Sequence, residues 1–162
     1  MTAYRRFLAT AMVAVAASAI LFALSFVATP VKFLADGVPV EHLLAVGRVT
    51  FRASAASEAV LLLLLLVILA RGRSRIAACS VAALLAFQWL VLMPDLDART
   101  LARMSGRVMP SSGLHGWWIA LDVLRIVLYA AIARAAIARA MMRVGKTPPA
   151  ANDLERGPPT AI

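Results

Sequence analysis

A single cysteine, Cys79, stands among 162 residues, so no intramolecular disulfide can close a loop, and no Cys/His spacing reads as a zinc site. Acidic residues are scarce too: eight Asp and Glu face 17 Lys and Arg, a formal charge of +9. What fills the chain instead is apolar. At 62% hydrophobic residues and a mean hydropathy of +0.85, it lies well above the roughly 45 to 50% apolar usage of soluble domains, which excludes a water-soluble globule. The apolar residues gather in blocks close to the roughly 20 residues a helix needs to cross hydrocarbon. The expected fold class is all-α, an integral membrane four-helix bundle held by packing.

Four spans are expected, over about residues 7–29, 43–70, 76–93 and 114–135. The first has no charged residue and follows Arg5-Arg6. A cleaved secretory signal is the rival reading, but cleavage at its small residues would strand Ile20 to Val27 as an unexplained apolar stub. The second, about 42 Å long at 1.5 Å per residue, must tilt or project. The third is expected to end at Pro94, which cannot donate to a helix ladder and biases Met93 away from helical geometry. The fourth begins near Leu114 and stays helical to about Arg143. Only Arg71-Gly72-Arg73-Ser74-Arg75 separates the second and third spans, enough for a tight helical hairpin turn.

Loop charge sets an orientation. Arg5, Arg6, Arg71, Arg73, Arg75, Arg134, Arg139, Arg143, Lys146 and Arg156 fall on one side, against Lys32, Arg99, Arg103 and Arg107 on the other. The positive-inside rule then puts both termini in the cytoplasm and the chain in the inner (plasma) membrane. Basic charge interleaved with apolar spans is a topology signal and an attraction to anionic lipid rather than a nucleic-acid footprint. Residues 146–162, with two Pro-Pro pairs, read as a disordered cytoplasmic tail.

Each half of the sequence also shows an outgoing helix, a proline at its exit, a Gly-Arg-Val triplet and an acid in the returning helix. Pro30, Gly47-Arg48-Val49 and Glu58 answer to Pro94, Gly106-Arg107-Val108 and Asp122. Two readings stand: a repeated helical hairpin about an axis along the membrane normal, or proline and glycine punctuating helix ends.

Counted from the arginine that bounds each helix, Ser18, Glu58, Gln88 and Asp122 share one depth, roughly 18 to 20 Å in. A charge at a helix centre costs about 2.5 to 3.5 kcal/mol, while each Leu, Ile, Phe or Val returns about 0.3 to 0.6. Asp122 and Arg125, spaced by three, lie on one helical face within ion-pair reach. Glu58 has no opposite charge three or four residues away, so its expected partner is Arg125 across the bundle, unless it is protonated. Glu58, Gln88, Asp122 and Arg125 are therefore candidates for a buried site for a proton, ion or small solute. The competing account is that they are interhelical glue fixing register.

Nearer the outer side, Arg48 and Arg52 are spaced i,i+4 and His115 opens the fourth span. They are candidates for the mouth of a vestibule leading down to Glu58, against snorkelling arginines and a headgroup histidine. Arg99, Arg103 and Arg107 follow a four-residue spacing that predicts a short amphipathic helix lying on the membrane. Met93, Met104, Met109, His42 and His115 fall toward this side, but no Met-x-x-Met or His-x-His pattern supports copper. His42 and His115 sit about 15 Å apart in depth, which does not suit a bis-histidine haem. No cofactor motif or metal set is expected. Trp117 and Trp118 read as interface anchors and Tyr129 as packing.

Phe26-x-x-x-Pro30-x-x-Phe33, Gly47-Arg48-x-x-Phe51, Pro94 and Leu114-His115-Gly116 together resemble the small four-helix membrane proteins grouped as domain of unknown function 4149 and related to transmembrane protein 205. The resemblance covers roughly residues 7–135 and implies a four-helix membrane fold without an established reaction. The expected function is a small multi-pass membrane protein, not an enzyme, with a buried polar site for a proton, ion or small solute. The alternative is a structural or accessory subunit whose buried charges pack helices or bind a partner. Expected partners are the bilayer with its anionic lipids and, for a homo-oligomer, further copies of the chain; nucleic acid is not among them, and the sequence names no ligand.

Overall fold

The computed structural model describes residues 3–69 and 72–145. They form four helices, with no strand among the described residues. These are α1 (Ala3–Leu34), α2 (Val40–Ile68), α3 (Arg73–Met104) and α4 (Leu114–Val144). Helices α1, α2 and α3 are each long and apolar enough to cross a membrane. The expected tail, with Lys146 and Arg156, lies outside the described residues, as does Arg71.

The helices run up and down in turn. Thr29, Arg48, Asp97 and Trp118 meet at one end, and Arg6, Leu69 and Arg139 meet at the other. The most extensive packing is α1 on α4, and α3 closes the bundle against α4 and α2. Small residues make the first contact close. Ala11, Ala14, Ala17 and Leu21 recur every three or four residues on α1, so they share one face, and Ala133, Ala136 and Ala140 are buried on α4. Short side chains let two backbones approach and gain dispersion along their length. Leu62, Leu65, Val81, Leu85 and Tyr129 fill the centre.

The turn from α2 to α3 needs glycine at Gly72, which has φ 100° and ψ −176°, a region essentially closed to residues with a Cβ. Arg75 reaches back to donate to the carbonyls of Leu66 (2.9 Å) and Leu69 (2.6 Å), satisfying acceptors that a helix end leaves open.

Pro94 does not end the third helix. Gln88–Leu92 form a π turn, Met93 keeps helical dihedrals (φ −63°, ψ −40°), and its N–H bonds the Gln88 carbonyl five residues back. The helix then continues through Met93–Met104. A proline normally breaks a helix because it lacks an N–H and its ring strikes the carbonyl four residues before it. A wider turn just upstream relieves that conflict at the level of one turn. The same device precedes Pro30: Ala23–Ala28 form a π turn, closed by Thr29 N–H to the Leu24 carbonyl, which also accepts from Thr29 Oγ1 at 2.7 Å. The short surface helix expected around Arg99 and Arg103 is therefore the end of α3 itself, and Arg107 lies beyond it.

The two halves echo each other only in part. Both outgoing helices carry a π turn ahead of their proline, but Gly47-Arg48-Val49 lies inside α2 while Gly106-Arg107-Val108 lies in the link after α3. Gly106 takes a φ of 77°, a turn conformation rather than a helical one, so the two triplets do not correspond.

Candidate functional site

Two polar assemblies stand out, one inside the bundle and one at its end. The inner one is built by helical spacing. Ser54, Glu58, Leu62 and Leu65 share the buried face of α2, Asp122, Arg125, Tyr129 and Ile132 share that of α4, and Gln88 opens the π turn of α3. Glu58, Gln88, Asp122, Arg125 and Tyr129 are each at most 2% exposed.

Arg125 sits between the two acids. Its Nη1 donates to Glu58 Oε2, and its Nη2 donates to Asp122 Oδ1 at 2.5 Å. Gln88 Nε2 donates to the same Asp122 oxygen at 2.9 Å and to the Trp118 carbonyl at 3.1 Å, which fixes the orientation of the amide. Tyr129 donates its hydroxyl to Glu58 Oε1 at 3.2 Å. Two polar atoms, Gln88 Oε1 and Arg125 Nε, are buried without a hydrogen-bond partner among the described residues. Two carboxylates on one guanidinium leave the ionised cluster with one formal negative charge. Such an excess is costly in a low-dielectric interior, where a buried ion is tolerated only with a partner.

The outer assembly is a cavity of about 320 Å³ at the end of the bundle where α1 stops and α4 starts. Lys32 on α1, Arg48 on α2, and Arg99 and Arg103 on α3 line it together with His115, and Phe33, Phe51, Met93 and Trp118 supply apolar walls. One acid is present, Asp97, held in a two-pronged pair with Arg48 (2.5 and 2.8 Å). Lys32 Nζ lies 5.0 Å from the Phe33 ring centre and 6.0 Å from that of Phe51, distances at which a cation is drawn to an aromatic face. It also lies so close to Gly47 that a Cβ there would collide with it.

No family model, no curated protein and no solved structure matches this chain. The site is therefore argued from its own geometry.

The four inner candidates, Glu58, Gln88, Asp122 and Arg125, meet in one network, while Ser18, expected at the same depth, is half-buried outside it. Of the outer three, Arg48 and His115 line the cavity. Arg52 does not; it is largely exposed and stands 3.8 Å from Asp97. The cavity does not open onto Glu58. Trp118 forms its wall and gives its carbonyl to Gln88 on the other side, so the vestibule and the buried network are separate compartments. Trp118 is accordingly buried against Phe51 and Trp89 rather than placed as an anchor, whereas Trp117 is 66% exposed.

The sequence missed Tyr129 as a hydrogen-bond donor, although its place four residues after Arg125 on the charged face was a signal. It also missed Asp97 as the partner of Arg48, and Lys32 as a cavity cation. Both follow from helices continuing past their prolines. Among the described residues, no three His, Cys, Asp or Glu side chains come together as a metal set.

Proposed function

We propose that this chain is a small multi-pass inner-membrane protein whose buried Glu58–Arg125–Asp122 network, with Gln88 and Tyr129, holds one exchangeable proton. The observation that carries this is the charge balance. Two carboxylates share one guanidinium in a fully enclosed setting, and a single proton makes the cluster neutral. The membrane setting is supported by the three apolar helices and by large apolar side chains that face outward from them, among them Met12, Val60, Val67 and Leu90, each at least 65% exposed. A belt of this kind needs hydrocarbon or a partner to cover it. Arg5, Arg6, Arg73, Arg75, Arg139 and Arg143 gather toward one end, which by the positive-inside rule faces the cytoplasm and puts both termini there. The fold expected of the four-helix family named above is part of the same proposal.

One observation favours a second reading, in which the network only fixes how the helices pack. It ties α2, α3 and α4 together, and most of the polar atoms in it are matched. Infrared spectroscopy on the reconstituted protein separates the two. A protonated carboxylic acid gives a carbonyl band distinct from carboxylate, so the wild type should show one that titrates with pH. That band should vanish in Glu58→Gln or Asp122→Asn while the helical amide bands stay unchanged. If no titrating band exists, or if both variants retain it, the proton site is wrong and the packing role is the better account.

A further inference from the structure

The cavity at the outer end has a charge that the buried network does not explain. Arg48 is neutralised by Asp97. Lys32 and Arg103 meet no carboxylate within ion-pair distance among the described residues. Arg99 donates to the Pro110 carbonyl at 3.1 Å, which holds the guanidinium in place without cancelling its charge. Three cations thus converge on one concavity with no counter-charge of their own. The hydroxyls of Thr29 and Thr100 are committed to carbonyls of their own helices, so the donors left in the lining are the cations, Ser112 and the ring N–H groups of His115 and Trp118.

The walls sharpen the preference. Phe33, Phe51, Met93 and Trp118 lower the local dielectric, which strengthens attraction for an anion over its value in water. At about 320 Å³ the cavity falls at the small end of the roughly 300 to 1,000 Å³ typical of small-molecule sites. Lys32 is seated by design of the neighbouring helix: Gly47 has no side chain, and the ammonium occupies that gap against α2.

From this geometry we infer that the cavity is a binding site for a phosphate group, carried either by a small soluble phosphate or by the headgroup of an anionic lipid. A multiply charged tetrahedral oxyanion matches three convergent cations better than a single carboxylate does, because each cation finds its own oxygen. A two-chain lipid does not fit inside, so a lipid would insert its headgroup and leave its chains outside the bundle. The site is independent of the buried network, from which Trp118 separates it.

The test uses the intact protein in a neutral detergent. It is titrated separately with inorganic phosphate and with dihexanoyl phosphatidic acid, each against chloride at matched ionic strength, with binding read by calorimetry and by the fluorescence of Trp118 and its neighbours. Saturable binding of inorganic phosphate identifies a soluble anion as the source, and binding of the phosphatidic acid alone identifies a lipid headgroup. In either case Lys32→Met and Arg103→Gln should weaken binding about tenfold or more, the loss expected for one charge-assisted hydrogen bond. Gly47→Ala should weaken it as well, since it keeps every charge but displaces the flexible end of Lys32. Arg107→Gln, outside the cavity, should bind as the wild type does. The proposal is overturned if neither probe binds above chloride, if the three cavity variants bind like the wild type, or if Arg107→Gln weakens binding as much as they do.

Discussion

At Arg125, two carboxylates depend on one side chain. Removing it leaves Glu58 and Asp122 buried without a counter-charge, and loss of one partner from a buried pair costs about 3 to 5 kcal/mol. Arg125→Met should therefore be the most damaging single change in the network. Removing all the charge together, as Glu58→Gln with Asp122→Asn and Arg125→Met, should restore much of the loss, because apolar or neutral replacement of a whole buried set is often close to neutral. Tyr129→Phe deletes one hydrogen bond and should cost only about 1 kcal/mol. Heating followed by fluorescence-detected gel filtration ranks the four proteins, and a triple variant that folds worse than Arg125→Met would refute the ion-network account. The Asp122–Arg125 pair was legible in the sequence from a spacing of three. The Glu58–Arg125 pair followed by elimination, since no other buried cation was on offer. Tyr129 was legible only in part: its place four residues after Arg125 set it on the charged face, but a tyrosine there looks the same in sequence whether its hydroxyl is used or not.

At the scale of the element, Pro94 is where local reasoning failed. Against a regular i→i−4 ladder a proline stops a helix. The helix instead takes up one extra residue in Gln88–Leu92, and the register beyond is carried on to Arg103. A π turn is in effect a one-residue insertion, which gives a sharp expectation. Deleting exposed Val91 together with Pro94→Ala should convert the turn to regular helix and keep both sides in register. Deleting exposed Ala83, in the regular part of α3, should rotate everything after it by about 100° and uncouple Gln88 from Asp122. Folded yield should stay near wild type in the first protein and collapse in the second; equal yields would show that the π turn is not an insertion held in register by its neighbours.

At the scale of the whole molecule, the even number of helices and the arginines at one end predict that both termini lie on one side. A reporter active only in the cytoplasm should work when fused after Lys146 and when placed at Gly72, and should be silent at Asp36 or Ser112. Activity at the latter two positions would reverse the proposed orientation. The cavity also belongs to this scale, since each of the four helices contributes a wall and no segment alone contains it.

Residue order alone dictated four helices and which charged residues would be buried, but not where the first and third helices end. Long apolar blocks leave a chain few ways to satisfy its backbone, and a charge inside such a block must find a partner wherever the fold takes it. It could not determine which charges at the outer end would be neutralised. Asp97 claims Arg48 and leaves Lys32, Arg99 and Arg103 in the cavity lining without a carboxylate among the described residues, and that outcome depends on a helix passing a proline and on the gap at Gly47. Those are distances between helices, and periodicity along one helix carries no information about them.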